Sequence, residues 1–358
     1  MSSTEQQPNP PVQPVYGVRH VNLPLEAKAS RVPVLGTQDH AAMRALSWVR
    51  IAFGVFFAVN LGLHFNPQYA VQFAADVRHA ALAAGQPHAL GVWASAVLQL
   101  MAAVGISKAV ALLFGIEALL TVGLLTGWGF PALAWVGLVY ELFLWSTLGG
   151  LGGPYTSGAT DPGTAIVYAL GFALILLLRG WQGAAWSNAP LRRPDSVRVR
   201  WAFWLFGLLW AFDAWWKWQP GFLQHFASFL TSAQTGQPAW IAEWIAVFIG
   251  LGHVIGMERF AVLAALTETA IAAGLLFAPW LPQALRRAVL WGGLVYSLLL
   301  WSTAEGFGGP YGPGFTGNKG EVLGTTTVYA LLFLFLLAAQ VWLRRAPLPD
   351  SGPTTLPD

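Results

Sequence analysis

Two glutamates lie in the middle of long apolar segments, where a charged group is unusual. Glu117 is in the segment Lys108–Thr126, and Glu268 is in Phe260–Trp280. A carboxylate at the centre of a bilayer costs about 3 kcal/mol or more, so such a residue usually faces a partner group or a wet cavity. The sequence therefore predicts either a proton-carrying carboxyl beside a quinone or solute pocket, or a protonated glutamate that joins helices by a hydrogen bond.

A polar pair closes the first apolar segment of each half of the chain. Asp213 and Lys217 are four residues apart, so they share a helix face with the acid on the favourable N-terminal side. The matching positions in the first half hold Asn60 and His64. In one interpretation Lys217 helps to bind an anion and His64 relays a proton. In the other, Lys217 reaches the outer membrane surface and Asp213 neutralises it.

Two Gly-rich loops, over residues 149–164 and 305–325, share the sequence Gly-Gly-Pro-Tyr. Each loop leads to an apolar segment that begins at a threonine. Free backbone N–H groups at a helix start suit an anion, but the same loops are equally typical of helix capping. The candidate binding residues of these loops are Tyr155, Asp161, Glu305, Tyr311 and Lys319.

Glu141 occurs in one half only, because the matching position is Ser297. It is either a functional acid or a hydrogen-bonding residue between helices. The chain has no Cys, no His-Glu-x-x-His motif and no close pair of histidines within an apolar segment, so we expect no metal or haem site. Electron transfer would then need a bound quinone or a partner subunit.

The composition indicates which elements position these residues. Of the 358 residues, 56% are hydrophobic and only 10% are charged, and 19 are Trp. Soluble domains are roughly a quarter charged, so a soluble enzyme is excluded. Trp favours the membrane interface, which indicates a protein within the lipid bilayer. The net charge is +3, and the Lys and Arg residues lie beside apolar segments. This distribution indicates the orientation of the protein in the membrane and not a nucleic-acid partner.

Segments of about 20 mostly apolar residues predict membrane-spanning helices. Eight are present, at Ala45–Leu63, Lys108–Thr126, Pro131–Leu148, Gly163–Leu178, Trp201–Trp218, Phe260–Trp280, Ala288–Thr303 and Thr325–Leu343. The shorter segments Leu90–Ile106 and Trp240–Ile255 are interpreted as interfacial or re-entrant helices, with two further spans as the alternative. The predicted fold class is therefore all-α, a polytopic membrane protein of about eight spans.

Most Lys and Arg residues lie before the first span, between the halves and after the last span. The positive-inside rule then places both termini in the cytoplasm. We expect the protein to lie in the cytoplasmic membrane of a prokaryote. The predicted domains are a flexible tail over 1–40, a four-helix repeat over 41–187, a basic linker over 188–197, a second repeat over 198–346 and a tail over 347–358.

The two halves are related by an internal repeat. Tyr140 and the Trp-Ser-Thr sequence at Trp145 recur 156 residues later, at Tyr296 and Trp301. Each repeat contains an even number of predicted spans, so both enter the membrane from the same side. The repeats should therefore be related by an axis along the membrane normal, and a shared site would lie between them.

The sequences around both glutamates resemble DoxX-type membrane proteins. LLFGIEALLTVGLLTG and LAALTETAIAAGLLFA each place the glutamate ahead of Gly-Leu-Leu. The run Trp210–Lys217, followed by Pro220–Phe222, is similar to the DoxD branch, as are WSTAEGFGGPY and TVYALLF. The resemblance covers both halves as a tandem duplication. It implies the membrane subunit of a thiosulfate:quinone oxidoreductase, with quinone as its cofactor and a second redox subunit of the DoxA type as its partner.

Three functions from different classes stay open. The resemblance favours a quinone-linked oxidoreductase subunit, in which Glu117 or Glu268 takes protons and a small sulfur anion binds near Lys217 and Lys319. The second is a transporter or channel for a small solute or anion, because two similar modules are a common transporter plan. The third is a non-catalytic membrane anchor or assembly partner of a redox complex.

Overall fold

The computed structural model describes residues 37–65, 69–83, 85–152, 162–182, 192–309, 311 and 323–343. All regular secondary structure in this part is helical. Its helices are α1 (Thr37–His64), α2 (Tyr69–Leu82), α3 (His88–Val104), α4 (Ile106–Thr126), α5 (Ala132–Thr147), α6 (Thr164–Leu178), α7 (Ser196–Lys217), α8 (Pro220–Gln234), α9 (Ala239–Ile255), α10 (Met257–Phe277), α11 (Gln283–Ser302) and α12 (Thr325–Ala339). Short 3-10 turns lie at Gly150–Gly152, Gly306–Gly308 and Gln340–Leu343.

Four helices of the described part are long and apolar enough to cross a membrane: α1, α4, α10 and α12 with its 3-10 extension. Four others, α3, α5, α6 and α9, are apolar but shorter. Large apolar side chains such as Leu112, Trp135 and Val295 remain exposed on the outside of the bundle. An apolar exterior and internally satisfied helical backbones are what lipid requires of a protein. The molecule is thus an all-helical protein suited to a membrane.

The helices that overlap the eight predicted spans share one core. Buried side chains from α1, α4, α5, α6, α7, α10, α11 and α12 form a single cluster across both halves. The remaining helices form two small clusters of their own, one between α2, α3 and α4 around Val77, and one between α8 and α9 around Ile245. The segments predicted as interfacial or re-entrant, α3 and α9, therefore lie beside the main core.

Two hydrogen bonds bring the ends of the described chain together. The Trp342 indole donates to the Asp39 carboxylate at 2.7 Å, and the Ser47 hydroxyl donates to the Gln182 carbonyl at 2.9 Å. The start of α1 and the ends of α6 and α12 therefore lie at one end of the bundle. Both α1 and α7 begin inside segments predicted as tail and linker. In α7 the reason is Asp195, which caps the helix through the N–H of Arg198.

Arginines cap the end of the glutamate-bearing helix in each half, but they come from different helices. Arg50 of α1 donates to the Leu124 carbonyl at the end of α4. Arg286 of α11 donates to the carbonyls of Ala278 and Leu281 just after α10, at 3.3 and 3.2 Å. Both guanidinium groups are buried. They satisfy carbonyls that a helix end leaves without partners and complement its partial negative charge.

Glycines allow the last two helices of each half to approach closely. A Cβ atom at Gly137 of α5 would overlap the Phe172 ring of α6. A Cβ atom at Gly293 of α11 would overlap the Phe333 ring of α12 in the same way. Small residues at helix contacts are typical of membrane bundles, where packing replaces the hydrophobic drive. The same close contact therefore occurs once in each half.

Gly293→Ala is expected to lower the unfolding temperature of the protein in detergent micelles, because the new methyl group overlaps Phe333. Overpacking of this kind costs about 1–3 kcal/mol. Gly292→Ala is the matched control, since a Cβ atom there meets no atom within 4 Å and helix propensity improves by about 1 kcal/mol. Equal unfolding temperatures for the two variants would contradict the close packing of α11 on α12.

Candidate functional site

The first glutamate is held by side chains from two other helices. Glu117 of α4 is only 6% exposed. Its Oε1 accepts a hydrogen bond from the Tyr140 hydroxyl of α5 at 2.6 Å, and its Oε2 lies 2.8 Å from Nδ1 of His64 at the end of α1. We call these three residues the first cluster. A carboxyl group with a hydroxyl donor and an imidazole can hold or pass a proton while staying shielded from lipid.

The second glutamate has a corresponding set of partners. Glu268 of α10 is 1% exposed and accepts from the Tyr296 hydroxyl of α11 at 3.0 Å. Lys217 at the end of α7 places its Nζ 3.8 Å from Oε2 of Glu268 and donates to Asp213 at 3.0 Å. The predicted pairing of Asp213 with Lys217 is confirmed. These four residues form the second cluster.

The two clusters share the acid and the tyrosine but differ in charge. His64 takes the place of Lys217, so an imidazole replaces an ammonium group beside the glutamate. Asn60 takes the place of Asp213 and donates to the Tyr168 hydroxyl at 2.9 Å. The first cluster therefore contains one carboxyl group, whereas the second contains two.

A cavity of about 540 Å³ opens beside the second cluster. We call it the second cavity. Its polar end is formed by Lys217, Glu268 and Tyr296. Its walls are aromatic, with Phe222, Phe226, Phe229, Phe248 and Phe260. Helix α8, which supplies three of these rings, was not among the predicted elements. The combination suits a flat apolar ligand with hydrogen-bond acceptors at one edge.

A smaller cavity of about 390 Å³, the first cavity, lies beside the first cluster. Its lining includes Glu117 and His64, with Glu141 of α5 and with Asp76 and His79 of α2. The pKa of the Asp76 carboxyl on α2 is raised, because the effect of burial exceeds the opposing effect of the His79 charge. Helix α2 was not predicted either, because its polar residues interrupt the apolar pattern. Ionisable side chains thus make up a larger part of the lining of the first cavity than of the second.

The predicted loop residues serve the loop structure in the described part. Glu305 accepts hydrogen bonds from the backbone N–H and the hydroxyl of Thr326, at 3.1 and 2.6 Å, so it caps the start of α12. The Tyr311 backbone N–H donates to Gln237 at 3.2 Å, and its hydroxyl donates to the Phe307 carbonyl. The contacts of Glu305 match the capping interpretation, and Glu305 also lines the second cavity. Three other predicted residues lie outside the described residues: Tyr155, Asp161 and Lys319.

The two halves meet at a pair of matching threonines. The hydroxyl oxygens of Thr164, at the start of α6, and Thr325, at the start of α12, are 2.6 Å apart. Thr164 lines the first cavity and Thr325 lines the second. From the sequence, we expect a site that both repeats share to lie at the interface between them. The structure instead gives each half its own cavity, and the two cavities approach each other at this threonine contact.

The other described residues do not indicate a metal site, and the comparisons do not relate either site to a known protein. In the described ranges, no three His, Asp or Glu side chains are arranged to hold a metal ion. Glu243 and His253 of α9 are exposed and line neither cavity. No family model, curated protein or solved structure matches the chain. The geometry of the two cavities is therefore the main basis for a functional proposal.

Lys217→Met is expected to destabilise the protein strongly, because it leaves Asp213 and Glu268 buried without a cation. Removing one partner of a buried ion pair costs about 3–5 kcal/mol. Adding Asp213→Asn should restore part of that loss, since the matching position in the first half is an amide. The measurement is unfolding by SDS in mixed micelles. A double variant no more stable than Lys217→Met would contradict this charge balance.

Proposed function

We propose that the chain is a protein of a prokaryotic cytoplasmic membrane that crosses the bilayer eight times as two similar four-helix repeats. The shared core of the eight helices supports this arrangement. The contact between the matching residues Thr164 and Thr325 also supports it, because a two-fold axis between the repeats brings equivalent residues together. The contact between Trp342 and Asp39 supports a location of both termini on the same side of the membrane. We assign that side to the cytoplasm from the distribution of the basic residues.

The function that this geometry supports best is a membrane subunit of a quinone-linked oxidoreductase. The second cavity carries the proposal, because it combines aromatic walls with hydrogen-bonding groups at one end. A quinone head group is a flat ring with carbonyl oxygens at its edge, which fits such a lining. The volume of about 540 Å³ is within the range of small-molecule sites. A bound quinone supplies a two-electron, two-proton acceptor.

The chain's own residues would bind the head group and hold its protons. Lys217 Nζ and the Tyr296 hydroxyl line the second cavity and would donate hydrogen bonds to a carbonyl oxygen bound beside them. When Glu268 carries a proton, it can donate to the Tyr296 oxygen, and that hydroxyl is then free to donate to the ligand. Glu268 thus acts as the proton-holding acid, and the surrounding rings exclude water.

The electron donor is proposed from the DoxD-like sequences. They point to thiosulfate or a similar small sulfur anion, oxidised together with a second subunit of the DoxA type. Joining two thiosulfate ions through a sulfur–sulfur bond releases two electrons. The reduction of one quinone to quinol consumes two electrons and two protons, so the electrons balance. Lys217 is already balanced by Asp213 and Glu268. We therefore place the anion on the partner subunit or the outer loops and not beside Lys217.

A transporter is the second candidate, and the polar first cavity is the observation that favours it. Two similar modules around an axis normal to the membrane also occur in transporters. Solute flux into proteoliposomes without an electron acceptor would indicate transport. A protein that neither binds quinone nor moves solute, but copurifies with one redox partner, would instead be an anchor or assembly subunit.

Tyr296→Phe is expected to weaken the binding of a short-chain ubiquinone to the purified protein in nanodiscs by about three- to tenfold. It removes one buried hydrogen-bond donor, which is worth about 0.5–1.5 kcal/mol. Tyr140→Phe is the matched control, because it removes the same contact from the other half and should not change this affinity. Fluorescence quenching of the protein's Trp residues by the quinone gives the dissociation constants.

Equal losses in both variants, or no loss in either, would contradict a quinone site in the second cavity. The activity test uses the protein with its native partner and follows thiosulfate-dependent reduction of the same quinone. Glu268→Gln should lower the turnover number. Full turnover in a variant that carries both Glu117→Gln and Glu268→Gln would remove the acid role from both residues.

A further inference from the structure

Glu141 is a buried acid that the first cluster does not use. Its side chain is only 5% exposed and lines the first cavity, and the described residues offer it no hydrogen bond. The matching Ser297 in the second half donates to the Gly293 carbonyl of its own helix, at 2.8 Å. A small hydroxyl side chain is therefore sufficient for the packing at this position of the helix. A buried carboxyl without a partner is costly, so its presence indicates a group that binds to it.

The charged groups around the first cavity come from four helices. Helix α1 supplies His64, α2 supplies Asp76 and His79, α4 supplies Glu117, and α5 supplies Glu141. Three acids thus face two imidazoles, of which His64 is already engaged by Glu117. The cavity therefore has an excess of acidic groups. The second cavity is also lined by three acids, but there Lys217 lies within hydrogen-bond or ion-pair distance of two of them, Asp213 and Glu268.

The same cavity is lined by aromatic rings. They belong to Phe57, Tyr69, Phe73 and Tyr168. The ring of Tyr69 also lies against His64, with 4.2 Å between the ring centres. Aromatic faces attract cations, and they also accept the hydrocarbon part of an organic ion. Carboxylates together with aromatic walls form the chemical setting that recognises an ammonium group.

We propose that the first cavity binds a small organic monocation with a primary ammonium group. Its N–H groups donate to the carboxylates of Glu141 and Glu117, and the aromatic rings surround its charge and its short hydrocarbon chain. The volume of about 390 Å³ admits such a compound. The site is separate from the proposed quinone site, and the proposal does not rest on the redox function.

The experiment uses the full chain in nanodiscs and compares propylammonium chloride with 1-propanol, a neutral analogue of similar size. Potassium chloride at the same concentration controls for ionic strength. Isothermal titration should show saturable binding of propylammonium and none of propanol. The unfolding temperature should rise with propylammonium alone, because a ligand that binds the folded state stabilises it. Absence of saturable binding, or equal binding of propanol, would overturn the proposal.

Variants of Glu141 locate the site. Glu141→Gln keeps the shape and removes the charge, so propylammonium affinity should fall at least tenfold. Ser297→Ala is the matched control in the other half and should leave the affinity unchanged. An affinity of Glu141→Gln equal to wild type would overturn the proposal. If that variant does not fold, the comparison of propylammonium with propanol on the wild-type chain still decides.

Discussion

An ionised carboxyl group inside an apolar helix bundle is stabilised by a hydrogen-bond donor and a compensating charge. This constraint determines the position of three helices in each half. Glu117 and Glu268 each accept from a tyrosine on the following core helix, and each faces a basic side chain at the end of the half's first helix. The cavities lie where these helices meet, so the requirement that keeps the acids in place also forms the two sites.

The two halves differ mainly in the groups that surround this shared arrangement. One half combines His64 with an amide and an additional acid, Glu141, and its cavity is polar. The other combines Lys217 with Asp213, and phenylalanines line its cavity. The two halves thus keep similar packing around their glutamates, while the side chains that line their cavities differ. This difference is why we assign a neutral quinone to one cavity and an organic cation to the other.

Much of the fold could be predicted because length and apolarity mark the core helices. All eight segments predicted as spans are helices that share one core, and both shorter apolar segments are helices as well. Helices α2 and α8 were missed because polar residues interrupt their apolar pattern, and each of them supplies part of the lining of one cavity. Tyr140 and Tyr296 were recognised only as repeat markers. Their recurrence at a fixed spacing was the available signal, but spacing alone does not reveal which helix face meets a glutamate. The resemblance to DoxX and DoxD proteins stays a prediction.

Two double-mutant cycles test most directly whether the tyrosines hold the acids inside the bundle. One combines Glu117→Gln with Tyr140→Phe, and the other combines Glu268→Gln with Tyr296→Phe, with unfolding free energies measured in the same micelles. The account predicts a favourable coupling of about 1 kcal/mol or more in each half, as for a buried hydrogen bond to an acid. Coupling near zero in either half would contradict it.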